Sequence, residues 1–162
     1  MKRNIFILLI VASILIIFST LIFASGTIDE KEDYTKAIET YKQAIRIDPE
    51  DAYTYNNLGI AYRSLGLYKD AVEAYKQAIR IDPVNAIVYN NLGITYRSLG
   101  LYKDVETYKQ AILIDPAYVN PHYGLGLSYL KVRDKKLALD EYKILKDLDI
   151  NLANELLDLI NK

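Results

Sequence analysis

The chain has 162 residues, 51% of them hydrophobic and 25% charged, with a formal net charge of −1. That apolar content excludes a wholly disordered chain, and the balanced charge gives nucleic acid no basic footprint to bind. The absence of cysteine excludes disulfides, thiol catalysis and cysteine-bound zinc, and the one histidine, His122, excludes any site that needs two.

The first element is an apolar run, Ile5 to Ala24, twenty residues without a charge, glycine or proline. As a helix rising ~1.5 Å per residue it spans about 30 Å, the thickness of bilayer hydrocarbon. Lys2 and Arg3 precede it, and Asp29, Glu30, Glu32 and Asp33 follow. Positive flanks stay cytoplasmic. The expectation is therefore a single-pass anchor, with the N-terminus cytoplasmic and the rest of the chain outside the cytoplasm. The alternative is a signal peptide cleaved near Gly26 at Ala24-Ser25-Gly26, which leaves an exported, secreted protein. Both readings place the remainder on the same side. Eighteen basic against twenty-one acidic residues then remain, which does not favour adhesion to anionic lipid.

Beyond the anchor the sequence repeats itself. Ala52–Pro83 (AYTYNNLGIAYRSLGLYKDAVEAYKQAIRIDP) returns as Ala86–Pro116 (AIVYNNLGITYRSLGLYKDVETYKQAILIDP), with Asn56 and Asn90, Gly59 and Gly93, and Gly66 and Gly100 each 34 residues apart. Tyr34–Pro49 repeats only the second half, and Val119–Ile150 is a degraded copy that keeps Leu125, Gly126, Tyr129, Ala138 and Tyr142. Each unit reads as two helices. In Ala52–Leu65, Tyr55, Leu58, Tyr62 and Leu65 share one helical face. Gly66 ends that helix, because glycine enters the left-handed region at no steric cost. A second helix, Tyr68–Ile81, aligns Ala71, Tyr75, Ala78 and Ile79. Asp82-Pro83 stops it, since the residue before proline avoids helical backbone.

Tyr55-x2-Leu58-Gly59-x2-Tyr62, Ala71-x3-Tyr75 and Pro83 at a 34-residue period resemble the tetratricopeptide repeat, and Tyr89-x2-Leu92-Gly93-x2-Tyr96, Tyr108 and Pro116 resemble it again. The resemblance covers about Tyr34 to Ile150. It implies an all-α fold, an α-solenoid of antiparallel helix hairpins whose first helices line a concave face. The expected organisation is an anchor at 1–26, a half repeat with only a second helix at 27–51, full units at 52–85 and 86–118, a degenerate unit at 119–150 and a capping helix at 151–162. The second full unit is one residue short: TyrLysAspAlaValGluAlaTyr at 68–75 becomes TyrLysAspValGluThrTyr at 102–108. The loss is expected near Lys103–Val105, through a shortened turn or by Val105 taking the place of Ala71. In the last unit Arg133 stands where Gly66 and Gly100 stand. In the tail, Leu152, Leu156, Leu159 and Ile160 face away from Asn154, Glu155 and Asp158, the polar-backed pattern of a terminal cap.

Catalytic residues, a metal site and a cofactor are not expected. His122 falls in the slot of Tyr55 and Tyr89, a packing position, and Gly124-x-Gly126 is a helix-packing pair rather than a phosphate loop. The candidate site is the groove: Asn56, Asn57 and Arg63 on one first helix, repeated as Asn90, Asn91 and Arg97 on the next. Asparagine is a mediocre helix former, and its amide matches a peptide bond by both donating and accepting. In the family an asparagine before the motif leucine commonly lines the groove, and here those are Asn57 and Asn91. The slots of the family's carboxylate clamp hold Asn56, Ile60, Asn91, Asn120 and Gly124, so only Asn91 matches and that clamp is rejected. The functional expectation is a non-enzymatic, membrane-tethered adaptor that binds a protein or peptide segment. The alternatives are a homo-oligomeric structural solenoid and an exported accessory subunit of an assembly or enzyme complex.

Overall fold

The computed structural model describes residues 30–101 and 103–162. The expected anchor, Ile5–Ala24, lies outside the described residues, and among those described no helix is long and apolar enough to cross a membrane. All regular structure described is helical: α1 (through residue 47), α2 (Ala52–Ser64), α3 (Tyr68–Ile81), α4 (Ala86–Ser98), α5 (Lys103–Ile114), α6 (Val119–Lys131), α7 (Lys135–Leu148) and α8 (Ile150–Ile160).

The helices begin and end for local reasons. Asp51 caps α2 by accepting from the Tyr53 amide at 3.0 Å, and Asp134 caps α7 by accepting from Leu137 at 3.1 Å. Asp149 ends α7 and at once caps α8, accepting from the Asn151 and Leu152 amides. Each first helix closes in the same way. The amides of Leu67, Leu101 and Asp134 return to the carbonyls of Tyr62, Tyr96 and Tyr129 at 2.9–3.0 Å. That closure needs a left-handed residue. Gly66 (φ 74°) and Gly100 (φ 72°) supply it, and Arg133 (φ 62°) takes the same strained backbone without being glycine.

Consecutive helices pair as hairpins, α2 with α3, α4 with α5 and α6 with α7. The pairs then stack, with α3 against α4, α5 against α6, and the first helices α2, α4 and α6 side by side. Helix α1 packs Ile38 against Leu58, Ala61 and Ala74, so the half repeat covers the open side of α2. At the other end α8 packs Ala153, Leu156 and Ile160 onto α6 and α7 as the expected cap. Large rings seated on glycines hold the hairpins close. A methyl on Gly59 would lie 2.6 Å from the Tyr75 ring, and one on Gly93 2.7 Å from Tyr108.

The missing residue is absorbed before α5. Tyr108 and Ala111 keep the register of Tyr75 and Ala78, all four fully buried, so the shortening falls on the start of the helix. Asp104, and not Val105, therefore occupies the place of Ala71. Asp104 is 4% exposed, and the Ser128 hydroxyl donates to its carboxylate at 2.6 Å.

Candidate functional site

The candidate residues lie along the row of first helices α2, α4 and α6. Side-by-side packing sets positions before the motif leucine at the seams between these helices. Asn91 donates its amide to Oδ1 of Asn56 at 3.0 Å across the α2–α4 seam, and both are 9% exposed. The structure thus joins Asn91 to Asn56, whereas Asn57, expected to share the role of Asn91, is half-buried. Asn90 is 3% exposed, and its Oδ1 has no partner among the described residues. Register explains the difference. The residue of α6 equivalent to Asn91 is Gly124, which brings no amide.

Arg63 and Arg97 sit one turn beyond Gly59 and Gly93, at the ends of α2 and α4. Each buries one guanidinium nitrogen, Nε of Arg63 and Nη1 of Arg97, without a protein partner among the described residues. The rings that pack under the glycines come from the second helices, and their hydroxyls reach the same region. Tyr75 and Tyr108 are fully buried; the Tyr75 hydroxyl lies close to Arg63 and Thr95, and the Tyr108 hydroxyl finds no partner among the described residues. Burial pushes Tyr108 up to about 12 despite the nearby Arg97 and Arg63. Burial raises Tyr75 likewise, against the pull of Arg63. Both phenols are neutral donors at physiological pH. At the C-terminal end Tyr123 of α6 donates to the Glu155 carboxylate of α8. Burial and that bond push Tyr123 up to about 12.

His122 is buried away from this row. Its Nδ1 lies 2.8 Å from a Glu141 carboxylate oxygen and its Nε2 3.0 Å from the Pro116 carbonyl. Two acceptors favour the doubly protonated ring. Burial opposes the charge, but the bonds to Glu141 and Pro116 and the Glu141 charge outweigh it and raise the pKa above the ordinary value. Among the described residues no cluster of three His, Asp or Glu side chains stands ready for a metal ion.

Sequence reasoning missed the buried hydroxyls of Tyr75 and Tyr108 beneath the first-helix row, because both residues occupy packing slots. A signal was present: phenylalanine would fill those slots equally well, yet the chain carries fifteen tyrosines and three phenylalanines. A cavity of about 420 Å³ lies elsewhere, between α3 and the α4–α5 turn, over Val72, Tyr96 and Leu99 with Lys69, Lys76 and Lys103 at its rim.

The hairpin stack and its ring-on-glycine contacts define a helical-repeat solenoid. A TPR repeat family model matches residues 30–66, 59–100 and 105–132, and a tetratricopeptide repeat model matches 86–118. The chain belongs to the tetratricopeptide repeat family. A crystal structure of MamA superposes with a TM-score of 0.70 at 24% identity, over 81% of this chain and 86% of that one. A second crystal structure of MamA protein gives 0.68 at 27% identity, over 81% and 77%. The first TPR of Spaghetti (RPAP3), bound to the HSP90 peptide SRMEEVD, gives 0.64 at 21% identity, over 69% and 92%. No match was found among curated proteins.

Proposed function

We propose that this protein is a membrane-tethered adaptor that holds a peptide segment of a partner protein against α2, α4 and α6. The observation that carries the reading is the polar row on these helices, Asn56, Asn57 and Arg63 returning as Asn90, Asn91 and Arg97. A polar set on packed helices is costly to stability unless it meets hydrogen-bonding partners. Membership in the repeat family supports the reading, as does the similarity in fold to a TPR solved with a bound peptide. The tether is the Ile5–Ala24 run, with the repeats outside the cytoplasm. The chemistry expected is recognition, not catalysis.

Photo-crosslinking in intact membranes tests both parts. A crosslinking amino acid at Ser64 or Ser98, exposed at the ends of α2 and α4, should capture a partner. The same group at Glu73 or Lys109, exposed on the second helices, should not. Capture confined to Glu73 and Lys109 would refute the groove. The protein should resist carbonate extraction, and external protease should degrade the repeats in spheroplasts. A soluble form beginning at Thr27 would refute the tether and leave the exported alternative.

A further inference from the structure

Net charge hides how the charge is arranged. The alternation of helix direction gives the stack two different edges. First helices end and second helices begin at one edge, and the loops that follow the second helices lie at the other. The hairpin turns stand side by side along the first edge. A cavity of about 300 Å³ takes Leu67 and Lys69 of the α2–α3 turn together with Leu99 of the α4–α5 turn. A methyl on Gly100 of the latter would lie 3.9 Å from Lys131 Nζ, at the α6–α7 turn.

The turn edge is both apolar and basic. Leu67, Leu101 and Val132 are 44%, 46% and 44% exposed in the three turns. Lys69, Lys103, Lys131, Arg133 and Lys136 stand exposed around them, and none forms an ion pair among the described residues. Of the carboxylates at these turns, Asp104 is buried against Ser128 and Asp134 caps α7, which leaves Asp70 exposed. The opposite edge exposes Ile47 and Val84 still more fully, but sets them among Asp48, Glu50, Asp82 and Asp115. Apolar exposure is common to the two edges, and the sign of the charge separates them.

The chain that precedes α1 arrives at the basic edge. Helix α1 ends at residue 47, beside the loop that leads to α2 at the acidic edge, so its start lies at the edge of the turns. Only Ser25–Asp29 separate that start from the apolar run Ile5–Ala24, a reach of at most about 18 Å for five extended residues.

We propose that the edge formed by the α2–α3, α4–α5 and α6–α7 turns docks on the anionic lipid surface of the membrane that holds the anchor. The proposal rests on the tether proposed above and adds which face of the solenoid meets lipid. Interfacial binding grows with buried apolar area and with attraction to anionic headgroups. Leucine and valine tips supply the first. Lysines supply the second, because their stems lie along apolar surface while the ammonium groups reach phosphate. Glu30, Glu32 and Asp33 at the start of α1 oppose the contact, although Glu32 is paired with Lys36 at 3.0 Å. They lie at one end of the edge, so an anionic surface repels the near end and draws the later turns down. The helices then stand on the membrane, and the row of first helices stays open to a partner from the side.

The chain contains no tryptophan, so a single introduced one reports its own surroundings. The test places it at a turn in full-length Leu67→Trp and Leu101→Trp, and at the opposite edge in Val84→Trp. In nanodiscs of equal parts phosphatidylcholine and phosphatidylglycerol, the two turn probes should emit further to the blue than the Val84→Trp probe. Brominated lipid should quench them severalfold more strongly. That difference should shrink in phosphatidylcholine alone and at high salt, because charge attraction is screened. Lys69→Gln/Lys103→Gln/Lys131→Gln, added to Leu101→Trp, should shrink it likewise. Water-like emission from both turn probes, in a chain that copurifies with the nanodiscs, would overturn the docking edge and leave the tether standing. Quenching indifferent to lipid charge and to the lysines would also overturn it, since nearness to the anchor would then account for the contact. A chain that does not stay with the nanodiscs refutes the tether, and the docking edge falls with it.

Discussion

Inserting an alanine between Asp104 and Val105 should stabilise the protein. The register of α5 from Val105 onward is held by Tyr108, whose ring lies against Gly93 and Gly124, and by fully buried Ala111. The extra residue must therefore push the chain back toward the turn. Alanine then enters the slot where Ala71 of α3 is fully buried, and Asp104 moves to the register of Asp70, which is exposed. Two terms oppose each other. Releasing a buried carboxylate recovers part of its desolvation penalty, which is larger than the ~1–3 kcal/mol found for a neutral polar group. Lost with it is the bond from Ser128; the favourable helix-dipole position is kept, because the register of Asp70 is also in the first turn. Ser128 is not orphaned, because its single hydroxyl proton can turn to the Gly124 carbonyl, 2.9 Å away. The net expectation is a gain of about 1 kcal/mol, which raises the melting temperature by roughly 2–4 °C for a domain of this size. Urea denaturation should give the same sign, and amides of Lys103–Lys109, which should exchange faster than Lys69–Lys76 in the wild type, should slow selectively. A lower melting temperature would refute the reasoning. It would mean that the Asp104–Ser128 bond is worth more than the desolvation it requires and that the unit has adapted to its shorter helix.

Three further outcomes follow from the same geometry. Arg133→Gly should stabilise by about 0.5–1 kcal/mol in thermal melts, because it relieves a left-handed backbone that costs L-residues ~1–2 kcal/mol, less the flexibility glycine adds to the unfolded chain. Gly93→Ala should destabilise by about 1–3 kcal/mol through overpacking against the Tyr108 ring, and full stability in that variant would show that the ring moves freely. Because the folded pKa of His122 is raised above the unfolded value near 6.5, its contribution is complete below about pH 6.5 and is lost as pH rises through the folded value. The stability gap between wild type and His122→Gln should therefore shrink between about pH 6 and pH 8 in urea titrations, and a gap that widens would refute the charged pair with Glu141.

The hairpins were legible because their determinants are local. Tyr55, Leu58 and Tyr62 share a helical face, Gly66 and Gly100 end their helices, and Pro83 ends α3, all within one unit. Helix α3 was expected at Tyr68–Ile81 and is found there. The site was less legible because its determinants lie between units. Glu141 reaches His122 from the next helix, 19 residues on, at no spacing that a single helix would reveal. The deletion was ambiguous for the same kind of reason. Identity of the letters aligns Lys103-Asp104 with Lys69-Asp70, but the packing of Tyr108 and Ala111 fixes the helix, so the slack passes to the turn, where changing chain length costs little.

Duplication makes the same point more sharply. Asn56 and Asn90 are copies, and so are Asn57 and Asn91, with identical neighbours on either side as far as Gly59 and Gly93. A reading by letters assigns each pair one role. Yet Asn56 accepts from Asn91 while its copy Asn90 accepts from nothing described. The difference originates in neither residue. It comes from the following unit, where Gly124 replaces the asparagine and admits Tyr108. Stacking couples every unit to the next, so a change in one repeat rewrites the environment of an unchanged residue in the repeat before it. In this solenoid the degenerate third unit is thus what turns a copied asparagine from half of a structural bond into a buried acceptor without a partner among the described residues.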